Sequence, residues 1–116
     1  MWQVTRMGRM EKQGPRILLV DDEEPVRQVL GVALRPAGYT MYQVSNGQEA
    51  LRSFQLVRPD LVLLDLDLPD IDGKEVIRRL RARPFTPIIV ISVRDEEAEK
   101  IGSLDTGADD YVTNPF

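Results

Sequence analysis

Short runs of Ile, Leu and Val alternate along this chain with longer stretches in which apolar residues recur every three or four positions. The first run, Ile17 to Val20, predicts a strand. A helix is expected next, from about Pro25 to Arg35, with Pro25 suited to a first turn and Pro36-Ala37-Gly38 stopping it. Val26, Val29, Leu30, Ala33 and Leu34 give that helix one expected buried stripe. Thr40 to Val44 predicts a second strand, then a helix capped by Ser45 or Asn46 and packed through Ala50, Leu51 and Phe54. Pro59 ends that connection, and Leu61 to Leu64 is apolar on both faces, as a central parallel strand requires. Asp72 caps a third helix bearing Val76, Ile77 and Leu80, which Pro84 closes before a fourth strand at Ile88 to Ile91. Asp95-Glu96-Glu97 suits the start of a fourth helix, with Ile101 and Leu104 as its expected buried face and Gly107 as a left-handed C-terminal residue. Tyr111-Val112 predicts a fifth strand.

Strands alternating with helices imply βαβ units and a doubly wound parallel sheet. Five strands and four helices leave an odd count, and one sheet face would have only the first helix to cover it. The pattern therefore reads as a domain over residues 16–116 that stops before a fifth helix. Residues 1–15 show neither period, and Gly14-Pro15 marks their end, so they read as a disordered lead.

At 116 residues and 42% hydrophobic, the chain suffices for one core. Its net charge is −4, but Arg6, Arg9, Lys12 and Arg16 against Glu11 give the first sixteen residues +3, so the other hundred hold −7. So acidic a body makes direct nucleic-acid binding by this segment an unfavourable reading. There is no cysteine and no histidine, which removes disulfides, thiolate chemistry, the usual general base and a phosphohistidine on this chain. No apolar stretch approaches the roughly 18 residues of a membrane span, and a cytoplasmic location is expected.

Where the chain does carry chemistry is at two strand ends. Asp21-Asp22 directly succeeds the first strand and Asp65 the third. If those strands are neighbours, three carboxylates meet at one sheet edge, where they repel unless a cation neutralises them. An all-oxygen acidic set with open positions suits Mg²⁺, which shares its shell with water and phosphate. Such a set points to phosphoryl chemistry. The bland alternative makes Asp21 to Glu24 helix-dipole acids and Asp65 a turn residue.

The stretches LLVDDEE, LVLLDLDLPDIDG, PIIVIS and GADDYVTNPF, in that order, resemble the receiver domain of bacterial two-component response regulators. The resemblance implies a flavodoxin/CheY-like sheet of order 2-1-3-4-5, with the site at the switch point between the first and third strands. It makes Asp65 the phosphoacceptor, loaded from a phosphohistidine on a sensor histidine kinase. Asp21, Asp22, Asp65 and the backbone carbonyl of Asp67 would hold Mg²⁺. Ser92 matches the switch hydroxyl and Tyr111 the switch aromatic, although a strand-end turn former and a half-buried core tyrosine explain them as economically. Val93 stands where a smaller residue is common.

Asn114 departs from the family, which usually has Lys before Pro-Phe. Asn donates a hydrogen bond but brings no charge. Three roles are open: a phosphorylation-dependent switch acting on a transcriptional output module, a pseudo-receiver that only binds proteins, and an aspartyl phosphohydrolase with Asp67 two residues after its nucleophile. The first is preferred, with no enzymatic activity beyond the domain's own phosphorylation and dephosphorylation. The segment EEAEKIGSLDTGADDYVTNPF further resembles the OmpR/PhoB class, with RDEEAEKI leaning to its KdpE type. That implies a homodimer face including Lys100, Asp105, Asp109 and Asp110; ordinary solvated charges are the equal alternative.

Overall fold

The computed structural model describes residues 13–92 and 97–113, with the side chains of the fourth helix described from Lys100 onward. Residues 1–12, Val93, Asp95, Glu96 and Asn114 lie outside the described residues. Five strands and four helices alternate: β1 (Arg16–Val20), α1 (Glu24–Leu34), β2 (Thr40–Val44), α2 (Gly47–Val57), β3 (Leu61–Asp65), α3 (Gly73–Leu80), β4 (Ile88–Ser92), α4 (Glu97–Thr106) and β5 (Asp110–Thr113). All strand pairs are parallel, in the order β2-β1-β3-β4-β5. Among the described residues, no helix is long and apolar enough to cross a membrane.

Strand alternation sorts the sheet side chains onto two faces. Leu18, Val20, Val62, Leu64, Ile88 and Val90 point to one face, where Ala50 and Phe54 of α2 and Val76, Ile77 and Leu80 of α3 complete the main core. Ile17, Leu19, Leu63 and Ile91 point to the other, against Val26, Leu30 and Leu34 of α1. On that second face an apolar hollow of about 260 Å³ remains beside α1, lined by Leu30, Leu34, Leu63, Ile89, Ile91 and Val112 among others. The uneven coverage anticipated from the count of elements is thus present among the described residues.

Two expected faces need correction. Val29 is 61% exposed and Ala33 is also exposed, so the α1 stripe is the narrower Val26, Leu30, Leu34. With no described helix beside it on that face, α1 touches the sheet along one line only. On α4, Ile101 and Leu104 are exposed, whereas Ser103 is fully buried. The helix is turned so that Gly102 and Ser103, small enough for close approach, face inward; a Cβ on Gly102 would meet the Lys74 ammonium at 3.2 Å.

Caps and a close backbone approach fix where the helices begin and end. Asn46, rather than Ser45, caps α2 by accepting from the Glu49 N–H at 2.8 Å, and Asp72 caps α3 by accepting from the Lys74 N–H. Gly73 must be glycine: a Cβ there would stand 2.6 Å from the Leu66 Cα, so only hydrogen lets α3 start against the loop beyond Asp65. Gly107 has φ 132°, the expected left-handed end of α4.

Candidate functional site

β1 and β3 are direct neighbours with Val20 beside Leu64, so the residues next in line, Asp21 and Asp65, emerge side by side at the carboxyl edge. Asp22 joins them: one carboxylate oxygen from each of the three lies within 4.8 Å of the others. Asp21 and Asp65 are buried and Asp22 is exposed, which leaves the cluster open to solvent on one side.

The acidic side chains are held differently. The Asp21 N–H donates to the Val44 carbonyl, its Oδ1 accepts from the Glu23 N–H at 2.9 Å, and its carbonyl accepts from Arg27 Nη1 at 2.6 Å. Asp65 Oδ1 accepts from the Asp67 N–H at 3.2 Å. Asp70, further along the same loop, binds the amide N–H groups of Gly47 and Gln48 at 2.8 and 2.9 Å, tying the loop to the start of α2. These backbone donors hold its carboxyl below the usual range.

The crowding has the expected electrostatic effect. Burial pushes the Asp65 carboxyl up to about 7, the charges of Asp21, Asp67 and Asp22 add to this, and the Asp67 N–H opposes it. Asp21 is also raised, by burial first and then by its acidic neighbours, with the Glu23 N–H and, less strongly, Arg27 pulling the other way. Three convergent carboxylate oxygens, two desolvated and mutually repelling, are a donor set that fits a small hard divalent cation.

Ser92 ends β4 and is buried at 3% exposure, on the strand adjacent to Asp65. Tyr111 is buried in the main core cluster, in register with Val90. Asp67 lies two residues beyond Asp65, in the loop after β3, and is exposed. The charges expected on the dimer face divide. Lys100 is half-buried, Asp105 and Asp110 are exposed, and Asp109 is turned to its own chain, where its carboxylate binds Arg81 Nη2 at 2.6 Å and the Ile88 N–H at 2.8 Å. Arg81 also donates to the carbonyls of Gly107 and Thr86, so one guanidinium locks the end of α3 to the α4–β5 turn. Sequence reasoning missed Arg27, Asp70 and Arg81, whose partners lie in other elements or turns.

A doubly wound sheet of order 2-1-3-4-5 with an acidic triad at its switch point defines a CheY-like receiver. Residues 17–116 match the family described as response regulator receiver domain, and the chain belongs to that family. It is 45% identical over 100 residues to the KDP operon transcriptional regulatory protein KdpE of Escherichia coli, covering 86% of this chain and 44% of that protein. The phosphate regulon transcriptional regulatory protein PhoB of Pseudomonas aeruginosa is 45% identical over 106 residues, covering 89% and 46%. TrcR of Mycobacterium tuberculosis is 39% identical over 115 residues, covering 98% and 45%. The chain therefore spans a little under half the length of these OmpR/PhoB-class relatives. Among solved structures, a response regulator from Chloroflexus aurantiacus aligns with TM-score 0.83 at 34% identity, over 89% of this chain and 87% of that one. The BeF3-activated receiver domain of Klebsiella pneumoniae RstA aligns with TM-score 0.84 at 31% identity, over 87% and 86%.

Proposed function

We propose that this receiver is a phosphorylation-dependent switch that takes a phosphoryl group onto Asp65 from a phosphohistidine of a sensor histidine kinase. The observation that carries the reading is the convergence of the Asp21, Asp22 and Asp65 carboxylates, with Asp65 buried at the end of a central strand. Asp21, Asp22, Asp65 and the Asp67 carbonyl would hold Mg²⁺, which when bound would supply the positive charge that lets a phosphate approach three carboxylates. An Asp65 oxygen forms the new O–P bond as the P–N bond breaks, and the imidazole nitrogen leaves with the electron pair and takes a proton. Ser92, buried at the end of the neighbouring strand, supplies the hydroxyl that answers the phosphoryl group, and Tyr111 responds on the next strand. The relatives are transcriptional regulators by name, so the response passes to a transcriptional output module, through a dimer face that includes Lys100, Asp105 and Asp110.

Asn114 sets the terms of the test. Without the ammonium usual at that position, the site holds one positive charge fewer, which favours cation binding and weakens phosphoryl capture. Isothermal titration with Mg²⁺ is expected to give tighter binding for the parent chain than for Asn114→Lys. Beryllofluoride with Mg²⁺ then separates the roles. Saturable binding with amide shifts spreading from Asp65 to Ser92 and Tyr111 supports the switch. Mg²⁺ binding with no response to beryllofluoride points to a receiver that works only by binding proteins, and turnover of a phosphate ester points to a hydrolase.

A further inference from the structure

The three acidic side chains are not equally restrained. Asp65 accepts an N–H from its own loop, and Asp21 is fixed through N–H, carboxylate and carbonyl. Asp22 is exposed and makes no hydrogen bond among the described residues, yet it completes the triad. Its Cα–Cβ direction depends on the peptide plane that joins it to Asp21. The carbonyl of that peptide is the group that Arg27 binds at 2.6 Å.

From this geometry we infer that Arg27 is the positioning residue of the cation site. By anchoring the Asp21 carbonyl it fixes the Asp21–Asp22 peptide and aims the unrestrained Asp22 carboxylate at the ion. The inference rests on the proposed Mg²⁺ site and assigns a role within it. Arg27 is well placed for the work: it lies in the first turn of α1, half-buried, with its N–H paired to the Glu23 carbonyl and its own carbonyl near the Gln43 amide of β2. The donor therefore sits on a rigid element that is itself tied to the turn and to the sheet, as an outer support for a metal ligand requires.

Position and charge make opposite predictions at this residue. A guanidinium beside Asp21 repels a divalent cation held there, so if Arg27 acted only through its charge, its removal would tighten Mg²⁺ binding. If it aims Asp22, removal loosens a ligand and weakens binding. The experiment is isothermal titration of the chain with Mg²⁺, at fixed ionic strength, for the parent, Arg27→Met and Arg27→Lys. Arg27→Met is expected to bind about tenfold more weakly, the usual scale for losing an outer support of a ligand. Arg27→Lys, which keeps a donor that can reach the carbonyl, should recover most of the loss. Urea unfolding without divalent cations accompanies each titration. Should Arg27→Met not fold, Arg27→Gln, a good helix former too short to reach the carbonyl, is expected to show the same weakening. Equal or tighter binding by a folded Arg27→Met or Arg27→Gln overturns the role of Arg27 and leaves the cation site standing. Absence of Mg²⁺ binding by the parent overturns both.

Discussion

Replacing Asp65 by Asn should make the metal-free protein more stable at pH 8 and leave it little changed at pH 4. The folded chain holds the Asp65 carboxyl at about 7 against 3.8 for the free group, mainly because the carboxylate is desolvated at the end of β3. A folded pKa above the unfolded one means that the fold binds the proton more tightly, so this group's favourable contribution is complete below pH 3.8 and is lost as pH rises through 7. A shift of that size corresponds to about 4 kcal/mol at most, and partial hydration of the open side of the cluster brings the expected effect to about 2–3 kcal/mol. Asn keeps the shape and an oxygen for the Asp67 N–H but carries no charge to desolvate. The assay is urea unfolding of parent and variant from pH 4 to 9 with chelator present, read as the difference between them. Divalent cation should remove most of that difference: Mg²⁺ at a hundred times its dissociation constant stabilises the parent by about 2.7 kcal/mol and the variant far less. A parent–variant difference that stays flat across this pH range would refute the claim that desolvation and like charge strain the metal-free site.

Two further substitutions test the frame around it. Ser103 is fully buried in α4 and its hydroxyl finds no partner among the described residues, so Ser103→Ala should stabilise the chain by about 1 kcal/mol, from removal of an unsatisfied polar group and better helix propensity; a lower urea midpoint for the variant would contradict this. Arg58 ends α2 in the left-handed region at φ 52°. Arg58→Gly should therefore raise stability by about 0.5–1 kcal/mol, measured the same way, with the contact from Arg16 to the residue 58 carbonyl retained because it involves only backbone at that position.

Much of this molecule can be read from local pattern because its local preferences and its tertiary packing agree. β3 is apolar at every position before its terminal acid since helices pack on both sides of it, and the same run delivers Asp65 to the sheet edge, so the strand and the phosphoacceptor candidate are one signal. The pairing of β1 with β3, which makes neighbours of Asp21 and Asp65, cannot be derived from either strand alone; it is legible only in the order of four motifs taken together. What stayed hidden depends on partners distant in sequence or on the rotation of a helix. Ile101 and Leu104 stand three apart and invite burial, yet α4 turns Gly102 and Ser103 inward, and nothing in a ten-residue helix with so weak a stripe fixes that choice beforehand. Asp70 reads as one more turn acid until its carboxylate is found at the start of α2, and Asp109 reads as a surface charge until Arg81 reaches it from α3. Arg27 is the most instructive case. In the run Val26-Arg27-Gln28-Val29 it looks like the solvated side of an amphipathic helix, and only the fold of the preceding turn brings the Asp21 carbonyl within its reach. The acids that would hold the ion were legible because carboxylates after apolar strands are unusual; the arginine inferred to aim Asp22 was not, because an arginine on a helix is ordinary and its contact is to a backbone atom.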